Sequence, residues 1–346
     1  MNTSATQASP AHILQLGTGF WASKVLLTAV HFKLFTRLAA RPSLTAKELK
    51  KELALQCTDR NTYDFLDTLT GLGVLTRTGL LETATYSNSP DAEAFLDKNK
   101  PSYIGGILEM ANDRLYGFWG NLENGLLTGK PQNEAATGGD LFGSIYKDPE
   151  NLKLFVHAMT GVQMGGFLGF ANLFDFSKYS TLTDVGGSSG MLSIVVAKHQ
   201  PHMRCITFDL PVIEPIASDT IQKSGMTDRV TIQSGDFFAD ALPKADIVVM
   251  GNILHDWSEE KKLALMKKVF AAVNEGGAFV AIENVIDDNR KENLFGLLMS
   301  LNMLIETGDG FDYTFGDFTR WATQAGFKST SLLNLAGPTS AAIAYK

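Results

Sequence analysis

The 346-residue chain holds only two cysteines, Cys57 and Cys205, far apart in sequence. So wide a separation forms no disulfide framework and no metal-ligand spacing, and it predicts a reducing, cytoplasmic setting. Positive charge is scarce as well. Lys and Arg number 30 against 37 Asp and Glu, for a net charge of -7 and a pI near 5.4. Such a chain has no electrostatic reason to seek DNA, RNA or an anionic membrane surface. No uninterrupted apolar stretch reaches the ~18 residues of a membrane span. The polar start, MNTSATQASP, has no basic region ahead of an apolar core, so it does not read as a secretory signal. There is no internal repeat and no low-complexity tract. What remains is an ordinary globular composition, 45% hydrophobic and 19% charged with mean hydropathy +0.01. That is enough apolar material for two domains, or for one large domain and an arm.

Residues 11–38 carry apolar side chains at helical spacing, among them Ile13, Leu16, Phe20, Val30, Leu34 and Leu38, with breaks expected near Gly17 and Gly19. Ser43–Leu55 reads as a helix with Thr45 as N-cap and Glu48 three residues on. A second helix, Asn61–Leu72, stops at Gly73, and VLTRTGLLETATYSNS then alternates and turns. Helix, helix and wing form a winged-helix pattern. The charges of this segment argue against DNA: Lys47, Lys50, Lys51, Arg60 and Arg77 are cancelled by Glu48, Glu52, Asp59, Asp64 and Asp67. A structural or dimerising role is the better reading.

Three regions are expected: a winged-helix unit over 1–100, a helical linker over 101–176 that contributes to an acceptor pocket, and an α/β unit over 177–346. In the last, STLTDV, RCITFDL, VTIQSG, ADIVVM and GGAFVAIEN alternate with helical stretches. That order predicts a parallel sheet covered on both faces, with ligand beyond the carboxyl ends of the strands.

The first of these strands runs into DVGGSSG. A P-loop would need Lys directly after the glycines, and none follows Gly190 until Lys198. The dinucleotide spacing of glycine at first, third and sixth places fails from either Gly186 or Gly187. The loop resembles instead the Asp/Glu-x-Gly-x-Gly-x-Gly loop of class I methyltransferases, which bind S-adenosylmethionine (SAM). Asp184, Gly186, Gly187 and Gly190 are in place, and Ser188 stands where a middle glycine is usual. The second strand ends in FDLP, so Asp209 can accept hydrogen bonds from both ribose hydroxyls, with Leu210 beside it. The third ends in GDFF, where Asp236 can accept from the adenine amino group and Phe237 can pack on its ring.

With HDWSEE and the closing AGF, the segment Leu182–Phe327 resembles the plant caffeate-type O-methyltransferases and their bacterial relatives that tailor aromatic polyketides and phenazines. With the winged helix the resemblance covers nearly the whole chain. It implies a Rossmann-like SAM-binding domain, class α/β, behind an N-terminal all-helical winged-helix dimerisation domain. It also implies a homodimer, a SAM cofactor leaving as S-adenosylhomocysteine, and no metal.

The resemblance further implies that His255, at the end of the fourth strand, is the general base. An imidazole can take the proton of a phenol as its oxygen attacks. Two Glu of the family support this His. The first matches Glu283; at the second position the chain has Asp312, with Tyr313 where the family has Arg. Gly251 stands where plant members carry a Lys near the cofactor. Asp256 is expected to cap the next helix or to stand behind His255, Glu259 and Glu260 to favour that helix's first turn, and Trp257 to pack near adenine.

The acceptor pocket is expected to be lined by Phe155, Met159, Gln163 and Met164 from one helix, and by Met299, Asn302, Met303 and Phe311 from a later stretch. Trp119 and Tyr116 are further candidates. Methionine-rich walls suit flat, apolar rings. With no basic run in these segments, a neutral planar acceptor such as a hydroxyanthraquinone is favoured. Asp287, Asp288 and Glu283 could be imagined around Mg²⁺, but no metal-ligand cluster stands out. Two rivals remain: C-methylation of a 2-oxo acid or other enolisable carbon, and a non-catalytic SAM-binding regulator.

Overall fold

The computed structural model describes residues 8–100, 102–137 and 148–346. The chain divides into two compact units, one through Tyr116 and one from Gly117 to Lys346. The helices beyond Tyr116 therefore pack with the α/β unit.

In the first unit the helices Ala11–Gly17, Gly19–His31 and Leu34–Ala40 are separated at Thr18 and at Lys33, which takes φ 56°. Thr45 caps the helix Ala46–Glu52 in a reciprocal box with Glu48, and Thr58 caps Asp59–Gly71 in the same way with Asn61. The strands β1 (Leu44–Thr45), β2 (Leu75–Thr78) and β3 (Thr85–Asn88) form an antiparallel sheet in the order β1-β3-β2. Its core is built on Leu34, Phe35, Leu38, Leu49, Leu69 and Tyr86.

The apolar pattern of residues 11–38 does not all face this core. Val30, Leu34 and Leu38 are buried, whereas Ile13, Leu16 and Phe20 are 72%, 68% and 56% exposed. Ala11–His31 is also apolar and long enough, by length and composition, to cross a membrane. Counting uninterrupted apolar runs overlooks this, because Gln15, Thr18, Ser23 and Lys24 punctuate it.

The second unit is built on a seven-stranded sheet in the order β6-β5-β4-β7-β8-β10-β9. Its strands are β4 (Thr181–Val185), β5 (Arg204–Asp209), β6 (Val230–Ser234), β7 (Ala245–Gly251), β8 (Val273–Glu283), β9 (Ser329–Ala336) and β10 (Thr339–Tyr345). β4 to β8 are parallel, and the hairpin β9–β10 adds antiparallel to β8. Alternate residues serve opposite faces. Ile247, Val249, Val280 and Ile282 join the core beneath the helices Pro149–Leu173 and Met191–His199. Val248, Met250, Phe279 and Ala281 join the core beneath Glu259–Ala272 and Phe315–Ala325. The long helix Pro149–Leu173 comes close to the edge hairpin because Gly169 has no side chain; a Cβ there would lie 3.0 Å from the Leu335 carbonyl oxygen.

Both faces are dry, so truncating a central ring is costly. Phe279→Ala should destabilise the α/β unit by about 3–5 kcal/mol, read from the midpoint of urea unfolding.

Candidate active site

The parallel strands all end on one side, and the loops that follow form the site. After β4 the backbone turns through Gly186 (φ 71°), Ser188 (φ 50°) and Gly190 (φ 74°) into the helix Met191–His199. Left-handed backbone costs a non-glycine residue about 1 kcal/mol, so Ser188 is held there by its neighbours. Gly187 is fixed by space: a Cβ would lie 2.2 Å from Thr207 Oγ1 and 2.9 Å from the Asp184 carbonyl oxygen.

Above this loop lies a cleft walled by Asp184, the loop, Gly251 and one face of the long helix. Met159, Gln163 and Phe167 recur on that face at helical spacing. Thr160 ties the helix to the loop through a hydroxyl–hydroxyl bond of 3.0 Å with Ser189. The Gln163 amide fills the room over Gly251; its Oε1 stands 3.1 Å from where a Cβ would be. A shallow second hollow shares Ser188 and is lined by Asp209, Leu210 and Ser234, so the two lie side by side at the ends of β4, β5 and β6.

Asp184 is buried with Oδ2 unpartnered, and burial, aided by the charge of Asp209, pushes its pKa up to about 8. Burial also raises Asp209, although the amides of Ser188 (2.8 Å) and Leu210 (2.7 Å) donate to its carboxylate and oppose the rise. Asp236 accepts from the Phe238 amide at 2.8 Å. Phe237, Phe238 and Trp257 cluster beside it: Phe238 meets Trp257 edge-on at 4.7 Å and Phe237 at 4.9 Å.

His255 lies on the short turn Leu254–Asp256 beyond β7 and is buried. Its Nδ1 is 3.4 Å from Asp312 Oδ1 and its Nε2 is 3.6 Å from Asp256 Oδ1. Burial disfavours the imidazolium, but Asp312, Asp256 and Glu283 outweigh it and raise the pKa to about 10. Burial takes Asp256 up to about 7 and raises Glu283 too. The two supporting acids have different tasks. Glu283, at the end of β8, accepts the backbone amides of Ile253 (3.0 Å) and His255 (3.2 Å), so it holds the turn. Asp312 faces the ring itself. Asp256 is no helix cap; that position belongs to Ser258, and the Asp256 carboxyl faces the imidazole instead. Glu259 and Glu260 do occupy the first helical turn.

The expected acceptor residues do not form one wall. Met159 and Gln163 line the groove over the glycine loop. Phe155 lies half-buried on the same helix, while Met164 packs into the sheet core. On the helix Leu294–Glu306, Met303 is buried and Met299 half-buried. Asn302 accepts the Trp119 indole N–H at 2.9 Å, so its polar partner is internal. Phe311 packs on the second core and meets Trp321 at 6.2 Å. Asp287 and Asp288 accept backbone amides of Lys291, Glu292, Asn293 and Gly316, which occupies them without a metal.

Residues 119–328 match an O-methyltransferase domain, and residues 14–98 match an O-methyltransferase dimerisation domain. The chain belongs to the O-methyltransferase family. It is 38% identical over 97% of both chains to the tetracenomycin polyketide synthesis 8-O-methyl transferase TcmO of Streptomyces glaucescens. It is 31% identical to the N,N-dimethyltransferase OxyT of Streptomyces rimosus, over 94% of this chain and 92% of OxyT. Human N-acetylserotonin methyltransferase in complex with SAM superposes with a TM-score of 0.89 at 26% identity, covering 100% of this chain and 99% of that one. The protein is therefore a SAM-dependent methyltransferase with an N-terminal dimerisation unit.

The donor set of the loop suits that cofactor: a buried carboxyl with an unpartnered oxygen at Asp184, a second carboxyl at Asp209 and the glycine loop between them. Three contributors escaped the sequence reading. Phe238 was legible beside Phe237 in GDFF. Thr160 and Lys262 were not: a threonine within a long helix and a lysine in a charged run carry no local mark. Gly187→Ala should remove S-adenosylhomocysteine binding by at least tenfold, measured by titration calorimetry, with the fold intact by circular dichroism, because the loop must move to admit the methyl group.

Proposed function

We propose that this methyltransferase transfers the methyl group of SAM to a phenolic hydroxyl of a small, planar aromatic acceptor, with His255 as general base. The carrying observation is the imidazole buried between two carboxylates at the mouth of the parallel sheet. When bound, SAM supplies an electrophilic methyl carbon on a good leaving group. The protein's own residues then have two tasks, to align the acceptor oxygen and to receive its proton. Asp312 beside Nδ1 selects the tautomer that leaves Nε2 as the basic nitrogen. As the oxygen attacks, Nε2 takes the proton, and the imidazolium stands between Asp312 and Asp256. With its pKa raised to about 10, the free base is the minor form of His255 at neutral pH, so the rate should climb as pH rises toward that value.

The accepting atom follows from this base. OxyT's name describes N-methylation, so kinship leaves the atom open. A neutral amine attacks without losing a proton first, whereas a phenol gains from a placed base. TcmO's name, an 8-O-methyl transferase of polyketide synthesis, supports oxygen and an aromatic polyketide-like acceptor. Among the rivals, a 2-oxo acid would want a free cation, but Lys262 donates to the Trp257 carbonyl. A DNA-binding regulator would want free basic side chains on the winged helix. There Arg41, Lys50, Arg60 and Arg77 pair with Glu52, Asp59, Asp64 and Asp67. The exposed Ile13, Leu14, Leu16, Phe20 and Trp21 lie in or beside the matched dimerisation segment and suit burial by a second copy. Both cysteines are free, in keeping with a reducing, cytoplasmic setting.

Two experiments test this. Wild type and His255→Ala are incubated with SAM and a panel of hydroxyanthraquinones, simple phenols and 2-oxo acids, and the products are weighed by mass spectrometry. Phenols should be methylated and 2-oxo acids not, and the variant should be slower by about 10²–10⁴-fold. Equal rates would remove His255 as base. The second experiment is a pH profile of kcat. Asp312 favours the imidazolium, so Asp312→Asn lowers the proton affinity of His255. The acidic limb should therefore move to lower pH, even as the loss of orientation reduces the plateau.

A further inference from the structure

Lys262 lies in SEEKK, at the start of the helix Glu259–Ala272, where a run of charges reads as a solvated face. The structure separates the two lysines. Lys261 sits over the Trp257 ring at 5.0 Å. Lys262 turns inward and is fully buried, on the same helix as the core residues Leu265, Met266 and Val269. A buried ammonium is costly unless it is paired and hydrogen-bonded.

Its partners all belong to the His255 centre. Nζ donates to the Trp257 carbonyl oxygen, two residues past His255. The ammonium lies 3.4 Å from the centroid of the Phe311 ring and 5.9 Å from that of Trp321. Four carboxylates bear on its charge: Glu283 from the end of β8, Asp312 and Asp309 from the loop after the helix Leu294–Glu306, and Asp256 from the His255 turn. Of these, Glu283, Asp312 and Asp256 are the same three that face the imidazole. Lys262 thus touches both segments that place His255: the turn that carries it and the loop that carries Asp312.

We propose that Lys262 is a positioning residue of the His255 centre, locking the Trp257 turn to the Phe311–Asp312 loop. The proposal rests on the reading of His255 as base. Three carboxylates around one histidine hold its proton firmly, and the ring keeps its place among them only while both segments keep theirs. Burial draws Lys262 itself down to about 8 against the pull of the carboxylates, so it is charged at neutral pH and loses its proton before His255 does.

The test compares wild type with Lys262→Met, Lys262→Gln and Lys262→Arg. Met keeps the volume and loses charge and donor; Gln keeps a donor for Trp257 but no charge; Arg keeps the charge. The first readout needs no cofactor or acceptor: the imidazole resonance of His255, assigned by its loss in His255→Ala, is followed by NMR from pH 6 to 11. In Met and Gln it should shift and broaden at neutral pH, as the ring loses its fixed place beside Asp312. Arg should stay near wild type. The second readout is kcat and KM with a phenol that wild type methylates. In Met and Gln kcat at neutral pH should fall about tenfold with KM for SAM little changed, and Arg should restore it. An unmoved resonance and wild-type kcat in Met and Gln, with only a lowered Tm, would overturn the proposal and leave Lys262 as core filler. If Met does not fold, Gln carries the comparison. If wild type methylates no phenol, the reading of His255 as base fails, and the NMR shift still decides whether Lys262 positions the ring.

Discussion

The site depends on one buried carboxylate holding a backbone. Glu283 ends β8 and accepts two amides from the turn beyond β7. The His255 amide is buried where water cannot replace the bond, so losing the carboxylate would leave it unsatisfied. The grip works because β7 and β8 are adjacent and parallel, with Gly251 registered against Ile282. Glu283 then arrives level with the turn, and His255 is carried to the end of the sheet. Packing on both faces of the sheet keeps this register: a slip of one residue would exchange Val248 and Met250 with Ile247 and Val249 between two cores.

Around that turn the chain concentrates charge that its surface does not show. Glu283 and Asp312 are buried within reach of His255, Asp256 is half-buried beside it, and Lys262 is buried with them. Each would be unstable alone in this setting. Together they hold an imidazole whose proton affinity is far above that of a free histidine.

The cofactor groove is assembled by a different principle, close approach. Gly187 and Gly190 let the loop lie against β5, and Thr160 pins the long helix over it through Ser189. Gln163 fills the space that the missing side chain of Gly251 leaves, so the absence of a lysine there is met by a neutral amide from another element. The same helix face, with Met159 and Gln163, thus lines the cleft over the glycine loop.

The order of elements, the glycine loop, the acids at successive strand ends and the position of His255 were all legible from the chain alone. These features are local: each depends on residue type and spacing within one strand and the loop after it. The capped helices of the winged unit were legible for the same reason. Tertiary structure decided which acid serves which atom. Glu283 and Asp312 lie far from His255 in sequence, so only their register in space assigns one to the backbone and the other to the ring. Tertiary structure also sent Asn302 to Trp119 and Met164 to the core, because a helix shows which residues share a face but not what that face meets. Lys262 is the clearest case: in sequence it is one charge among four, and only the turn of its helix beneath the His255 centre makes it a buried cation.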